Sequence, residues 1–122
     1  MTLKELYADI GGDYEKAMKV LRVEKLMDRH IKKFPVSGVT EALIEAAKSK
    51  DPVELFESSH AVKGVCANLG LTKLSDAAAK ISDAYRAGSG SGMPDEELAA
   101  AISEIKELYE KAADGIRRYS EG

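Results

Sequence analysis

The sequence has few residues of the kinds that build disulfide or metal centres. Its 122 residues include one cysteine, Cys66, so the chain cannot form an internal disulfide, and we expect a reducing compartment. It has two histidines, His30 and His60, and without a second cysteine most zinc sites would have to recruit carboxylates around this pair. The two histidines are therefore the natural place to look for chemistry.

The sequence also lacks an excess of charge of one sign and a long apolar run. Its 18 Lys and Arg against 21 Asp and Glu give a formal net charge of -3, which argues against a nucleic-acid binder held by phosphate contacts. No apolar run approaches the roughly 18 residues of a membrane span, and the start MTLKELYADIGG is unlike a signal peptide. We therefore expect a soluble, cytoplasmic chain without a membrane partner.

Prolines and glycines divide the chain into helical segments. The length allows one domain, over residues 1–122, and 44% hydrophobic residues suffice for its core. No stretch alternates long enough to predict a strand. The predicted segments are a short leading helix at 2–9, a helical region at 13–34 with a break near 22–23, and helices at about 39–49, 52–69, 72–87 and 94–119.

The boundaries of these segments carry capping signals. Asp13 is a predicted N-cap, and Asp51, Pro52 and Glu54 have the order of an N-cap, a first-turn proline and a capping box. Gly70 can take the left-handed conformation that closes a helix, and we expect Thr72 to cap the next one. The Gly/Ser stretch at 88–92 lacks the strand and the Gly-Lys-Ser/Thr ending of a phosphate-binding loop, which favours a flexible linker.

The last helix carries one continuous apolar seam. Its members are spaced alternately four and three residues apart: Leu98, Ile102, Ile105, Tyr109, Ala112, Ile116 and Tyr119. Such a seam needs helical partners of similar length. The predicted fold is therefore all-α, an antiparallel four-helix bundle with an additional N-terminal helix or helices.

The helix at 52–69 places His60 beside its core stripe, on the surface of the bundle. Lys63 and Gly64 follow one turn later, Phe56 precedes by one turn, and Ala67 lies beyond. A mid-helix glycine costs about 1 kcal/mol relative to alanine, and Gly64 would leave room for another molecule to reach the ring. A neutral imidazole is a nucleophile near pH 7, so this surface suits transfer of a phosphoryl group.

The run SSHAVKGVCANLGLTKL, at residues 58–74, resembles the signature of the histidine-containing phosphotransfer (HPt) domain family. The family pattern is a histidine, a lysine three residues on, a glycine four on, and a helix that closes before a leucine: here His60, Lys63, Gly64, Asn68, Leu69, Gly70 and Leu74. The likeness extends over most of the chain. It departs at Cys66, where relatives often have a hydrophobic residue, and at His30, where they tend to have a large apolar or aromatic one.

The resemblance implies a phosphocarrier that has no ATP site, rather than a true enzyme. His60 would accept a phosphoryl group from a receiver-domain aspartate and pass it to another receiver, Lys63 would neutralise the phosphoryl charge, and Gly64 would give access. Phe56 and Ala67 would belong to the docking patch. The chain would need no cofactor of its own, since the receiver supplies Mg²⁺; its partners would be response-regulator receivers and, as a further candidate, a hybrid sensor histidine kinase. We expect a monomer, and the compact length favours a free-standing protein over a piece of a hybrid or chemotaxis-type kinase, an alternative that stays open.

Other interpretations stay open at this stage. The chain could be a helical interaction module that binds a receiver or kinase without carrying phosphate. A metal- or haem-binding bundle would need His30 and His60 to face each other, which the position of His60 beside its stripe disfavours. The apolar spacing of His30 favours a core or boundary role, Cys66 reads as a small buried hydrophobe, and Gly64 could serve close packing with a neighbouring helix.

Overall fold

The computed structural model describes residues 1–87 and 92–122, so the linker predicted at 88–92 lies, except for Gly92, outside the described residues. Within these ranges the chain is helical and contains no strand. The elements are α1 (Leu3–Ile10), α2 (Tyr14–Leu21), α3 (Glu24–Lys33), a 3₁₀ turn (Phe34–Val36), α4 (Val39–Ser49), α5 (Pro52–Asn68), α6 (Thr72–Tyr85) and α7 (Asp95–Glu121).

Helices α4 to α7 form the predicted antiparallel four-helix bundle. Each packs against its neighbours in the order α4, α5, α6, α7, and α7 closes the ring against α4. The connection between α4 and α5 is two residues long and that between α5 and α6 three, and such short connections join antiparallel neighbours. The core between them is apolar, with Leu43, Leu55, Val62, Ile81 and Ile105 fully buried.

The seam of α7 packs as its spacing predicts, with one refinement. Leu98, Ile102, Ile105, Ala112 and Ile116 are buried. The two tyrosines of the seam are only half-buried, because their hydroxyls reach polar partners: Tyr109 donates to the Pro35 carbonyl and the Glu41 carboxylate, and Tyr119 donates to Asp28. Tyr109 thereby joins α7 to the 3₁₀ turn and to the first turn of α4, and Tyr119 joins α7 to α3.

The N-terminal helices lie against the bundle. Helix α1 packs on α7, where a Cβ added to Gly115 would overlap Ile10 Cγ2, so this glycine permits the close approach of the two helices. Helices α2 and α3 are separated at Arg22, which has a left-handed φ of 71°, at the break predicted near 22–23. Asp13 caps α2 by accepting a hydrogen bond from the Lys16 amide at 3.0 Å.

Some local predictions at the helix ends were wrong. The Asp51 carboxylate caps α5 by accepting from the Val53 and Glu54 amides, but the Glu54 carboxylate accepts from the Ser49 hydroxyl, so the capping box is half formed. Thr72 is not an N-cap. The N-cap of α6 is the buried Leu71, whose amide also closes α5 by donating to the Cys66 carbonyl.

Two ends differ slightly from the predicted bounds: α6 ends at Tyr85 rather than 87, and α7 continues to Glu121. Among the described residues, no helix is both long and apolar enough to cross a membrane.

Candidate functional site

Helix α5 presents His60 to solvent. Its buried face consists of Leu55, Ser59, Val62 and Cys66. His60 follows Ser59 by one residue, about 100° around the helix, and its side chain is exposed, as predicted. The histidine therefore lies where another molecule can reach it. Cys66 is fully buried, and burial raises the pKa of its thiol to about 12, so it behaves as the predicted small hydrophobe.

Phe56 lies directly against the imidazole. The two rings are stacked, with centroids 5.5 Å apart and planes inclined by 19°. Phe56 is half-buried, whereas His60 is exposed. Within the described part of the chain, no group forms a hydrogen bond with the imidazole, so the aromatic contact with Phe56 is not reinforced by one.

Lys63 and Gly64 occupy the next turn of α5. Lys63 is half-buried and its ammonium forms no ion pair with the described residues, which leaves the charge available to an incoming anion. Gly64 is exposed, and a Cβ added to it would meet no heavy atom of the described residues within 4 Å. The alternative that Gly64 serves close packing is therefore wrong. The glycine leaves an open surface beside His60.

Ala67 completes this surface one turn further along, where it is half-buried. We call the five residues the His60 surface: Phe56, His60, Lys63, Gly64 and Ala67. They span three turns of one helix, and they combine an exposed nitrogen base, a cation and a low, largely apolar floor. Such a surface can receive an anionic group carried by a second protein.

Residues 36–115 match the model of the Hpt domain. The chain belongs to the Hpt domain family. The match covers about two thirds of the chain and includes the whole His60 surface. Hpt domains carry out histidine phosphotransfer in phosphorelays and generally interact with receiver domains. The comparisons with curated proteins and with solved structures each gave no match.

The N-terminal helices, which mostly precede the matched Hpt segment, hold the C-terminal end of α5. The Tyr7 hydroxyl donates to the Leu69 carbonyl at 2.7 Å, and the Asp13 amide donates to the Gly70 carbonyl at 2.7 Å. Gly70 has the left-handed φ of 72° that its position predicts, and a Cβ there would overlap the Asp13 carbonyl oxygen. These contacts fix the end of the helix that carries His60.

Three serines donate hydrogen bonds to backbone carbonyls of α5 near His60, and the sequence did not predict these bonds. The Ser59 hydroxyl donates to the Leu55 carbonyl at 2.6 Å and the Ser58 hydroxyl to the Glu54 carbonyl at 2.7 Å, both in the turn before His60. Ser75, on α6, donates to the Lys63 carbonyl at 3.1 Å. A serine in a helix is compatible with many roles, so only the packing of α5 on α6 identifies this last bond.

His30 is exposed and not part of the core, so the core half of the expectation from its apolar spacing was wrong and only the boundary role remains. It is exposed on α3 and lines a cavity of about 280 Å³ with Lys33 and Phe34 on one side and Val65 and Asn68 of α5 on the other. Val23, the N-cap of α3, is also 51% exposed, because α3 buries only Met27 and Ile31. In the described ranges, 1–87 and 92–122, no group of three or more His, Cys, Asp or Glu is arranged to hold a metal.

Proposed function

We propose that this Hpt domain accepts a phosphoryl group on His60 from the aspartyl phosphate of a receiver domain and passes it to the aspartate of another receiver. The observation that carries the proposal is an exposed imidazole with Lys63 and an unobstructed Gly64 in the next turn. Phosphoryl transfer depends mainly on positioning and on neutralisation of charge, and these three residues can supply both.

In the transfer, the lone pair of an imidazole nitrogen forms the N–P bond. The electron pair of the breaking O–P bond leaves with the carboxylate of the receiver, and the proton on the other imidazole nitrogen is free to exchange with solvent. The same steps reversed load the next receiver. The Lys63 ammonium would neutralise the phosphoryl oxygens, and the absence of a side chain at Gly64 would let the receiver approach the ring.

The partners follow from this chemistry. The receiver would bring Mg²⁺ and most of the catalytic groups, so the domain would need no cofactor of its own. Phe56 and Ala67 would contact the receiver from either side of the histidine. We propose response-regulator receivers as partners, with a hybrid sensor histidine kinase as a further candidate, and a monomer that works in the cytoplasm, where such relays operate.

Incubation with a radiolabelled phospho-receiver tests the proposal. The domain should acquire phosphate that is labile in acid and stable in base, and His60→Gln should abolish the label. The matched control is His30→Gln, because His30 is the other histidine and is also exposed to solvent. The control should keep the label. Label that persists in His60→Gln would overturn the assignment.

The competing function is a module that binds a receiver or kinase without carrying phosphate. Titration of the unphosphorylated receiver, followed by calorimetry, separates the two. Binding without any transfer of label to the wild-type domain would favour the module. Transfer of label that disappears in His60→Gln would exclude it.

A further inference from the structure

The Phe56–His60 stack is a contact within the chain itself, present before any partner binds. We propose that Phe56 is a positioning residue for the phosphoryl transfer, in that its ring fixes the tilt of the imidazole plane before the receiver arrives. This inference rests on the proposed function of His60. It gives Phe56 a role different from that of a docking contact, which would act on the receiver.

The geometry of the stack explains how positioning would work. With centroids 5.5 Å apart and planes inclined by only 19°, the phenyl ring packs against one face of the imidazole in a laterally displaced arrangement. The nucleophilic lone pair of an imidazole nitrogen lies in the plane of the ring, so a contact made through a face leaves both nitrogens open. Tilting the imidazole away from this plane would separate the rings and lose the aromatic contact. The stack therefore restricts the directions in which an imidazole nitrogen can point, and it leaves that nitrogen accessible.

A restricted direction matters for this reaction. In-line displacement at phosphorus requires the attacking lone pair to be directed at the phosphorus atom, and a freely rotating side chain would spend most of its time misdirected. No hydrogen bond from the described residues holds the imidazole, so the stack with Phe56 is the contact to which we assign that task. The receiver would then meet a ring whose plane is already set.

Phe56 is suited to hold the ring because its own backbone is anchored. It precedes His60 by four residues, the spacing that places two helical side chains one above the other. Its carbonyl accepts a hydrogen bond from the Ser59 hydroxyl at 3.1 Å, and Ser59 is fully buried and also bonded to the Leu55 carbonyl. The turn that carries Phe56 is thus tied to the buried face of α5.

The first test needs no phosphate. Proton NMR of the domain, with Phe56→Leu and Phe56→Tyr as variants, measures the ring-current shift of the His60 ring protons. These resonances should lie upfield in the wild type and in Phe56→Tyr, and should move in Phe56→Leu towards their position in a short unstructured peptide. Identical resonances in all three proteins would show that the stack is absent in solution and would overturn the proposal.

The second test separates positioning from docking. Transfer from a phospho-receiver is measured over a range of receiver concentrations for the same three proteins. Phe56→Leu keeps an apolar side chain, and it should lower the maximal rate about threefold to tenfold. It should change the half-saturating concentration by less than about twofold. Phe56→Tyr keeps an aromatic ring and should transfer at close to the wild-type rate. An unchanged maximal rate would overturn the proposal, and a raised half-saturating concentration beside it would identify Phe56 as a docking residue instead.

The two proposals fail in different ways. If the wild-type domain takes no label, the acceptor role of His60 fails and the positioning role fails with it. If the wild type is labelled on His60 and Phe56→Leu transfers at the wild-type maximal rate, only the positioning role fails.

Discussion

The Ser75 hydroxyl donates a hydrogen bond of 3.1 Å to the backbone carbonyl of Lys63, and this bond ties α6 to α5 three residues beyond His60. Because the acceptor is the backbone, the bond fixes the position of Lys63 while leaving its ammonium uncommitted. Substitution of the Lys63 side chain should therefore change the charge at the His60 surface without loosening the contact between the two helices.

We expect Lys63→Met to slow phosphoryl transfer about tenfold or more, because the transferring oxygens lose a neutralising charge, and Lys63→Arg to retain most of the rate. Transfer assays with a phospho-receiver, quenched at timed intervals, measure the rates, and circular dichroism verifies the fold. Lys80→Met, at an exposed lysine of α6, is the matched control and should transfer normally. Equal rates for the two methionine variants would contradict the role of Lys63.

The fold should tolerate substitution of Gly64, whereas a bulky side chain at this position should slow phosphoryl transfer. Within residues 1–87 and 92–122, an added Cβ meets no heavy atom closer than 4 Å. Alanine is favoured over glycine in a helix by about 1 kcal/mol, so Gly64→Ala should raise the unfolding free energy by up to about that amount. Gly64→Phe should keep the helix and slow transfer strongly, because its ring would occupy the space that a receiver needs. Thermal melts and transfer rates provide the two measurements. A Phe variant that transfers at the wild-type rate would refute the steric account.

Substitution of Gly115 by alanine should have the opposite effect on stability, although this glycine also lies within a helix. A Cβ there would overlap Ile10 Cγ2, a stiff β-branched side chain, so Gly115→Ala should destabilise the protein by about 1–2 kcal/mol despite the better helix propensity of alanine. Transfer by the folded fraction should be unchanged, since Gly115 lies on α7, away from the His60 surface. Urea unfolding of Gly115→Ala beside Gly64→Ala measures the contrast, and equal shifts in the two variants would contradict it.

Stability should fall in strongly alkaline solution. Burial first, and then the hydrogen bond to the Glu41 carboxylate, raise the pKa of Tyr109 to about 12 in the folded chain. An unfolded tyrosine has a pKa of about 10, so the stabilisation is fully present below pH about 10 and is lost as the pH rises towards about 12.

Tyr109→Phe removes this titration, and we expect its unfolding free energy to decline less steeply than that of the wild type over that interval. Urea titrations at several pH values between about 9 and 12 measure the decline. Tyr85→Phe is the control. A decline of equal slope in Tyr109→Phe and in the wild type would contradict the prediction.

Local signals predicted the helices well because they depend on neighbouring residues. Asp13 and Asp51 cap as predicted, and Gly70 takes the left-handed conformation that ends α5. The errors arose where tertiary contacts override the local pattern. The Glu54 carboxylate bonds to the Ser49 hydroxyl instead of completing the capping box of α5. Leu71, rather than Thr72, occupies the N-cap position of α6, and this buried leucine lies at the junction of α5 and α6.

The site was predictable in part for the same reason. His60, Lys63 and Gly64 lie on one helix, so their juxtaposition follows from spacing alone. Sequence could not distinguish Gly64 from Gly115, since the distinction is whether another helix lies against the glycine. It also could not predict the Tyr7–Leu69 hydrogen bond, whose partners are 62 residues apart.

The bonds from Tyr7 and Asp13 to the end of α5 bear on how this domain can be transplanted. A fragment cut to the family limits, 36–115, would lose both donors and leave the Leu69 and Gly70 carbonyls to water, within three turns of His60. A chimeric relay that borrows this domain should therefore carry residues 1–35 with it. For this chain, the portable unit is larger than the segment that matches the family, because its first helices support the end of the helix that would receive the phosphate.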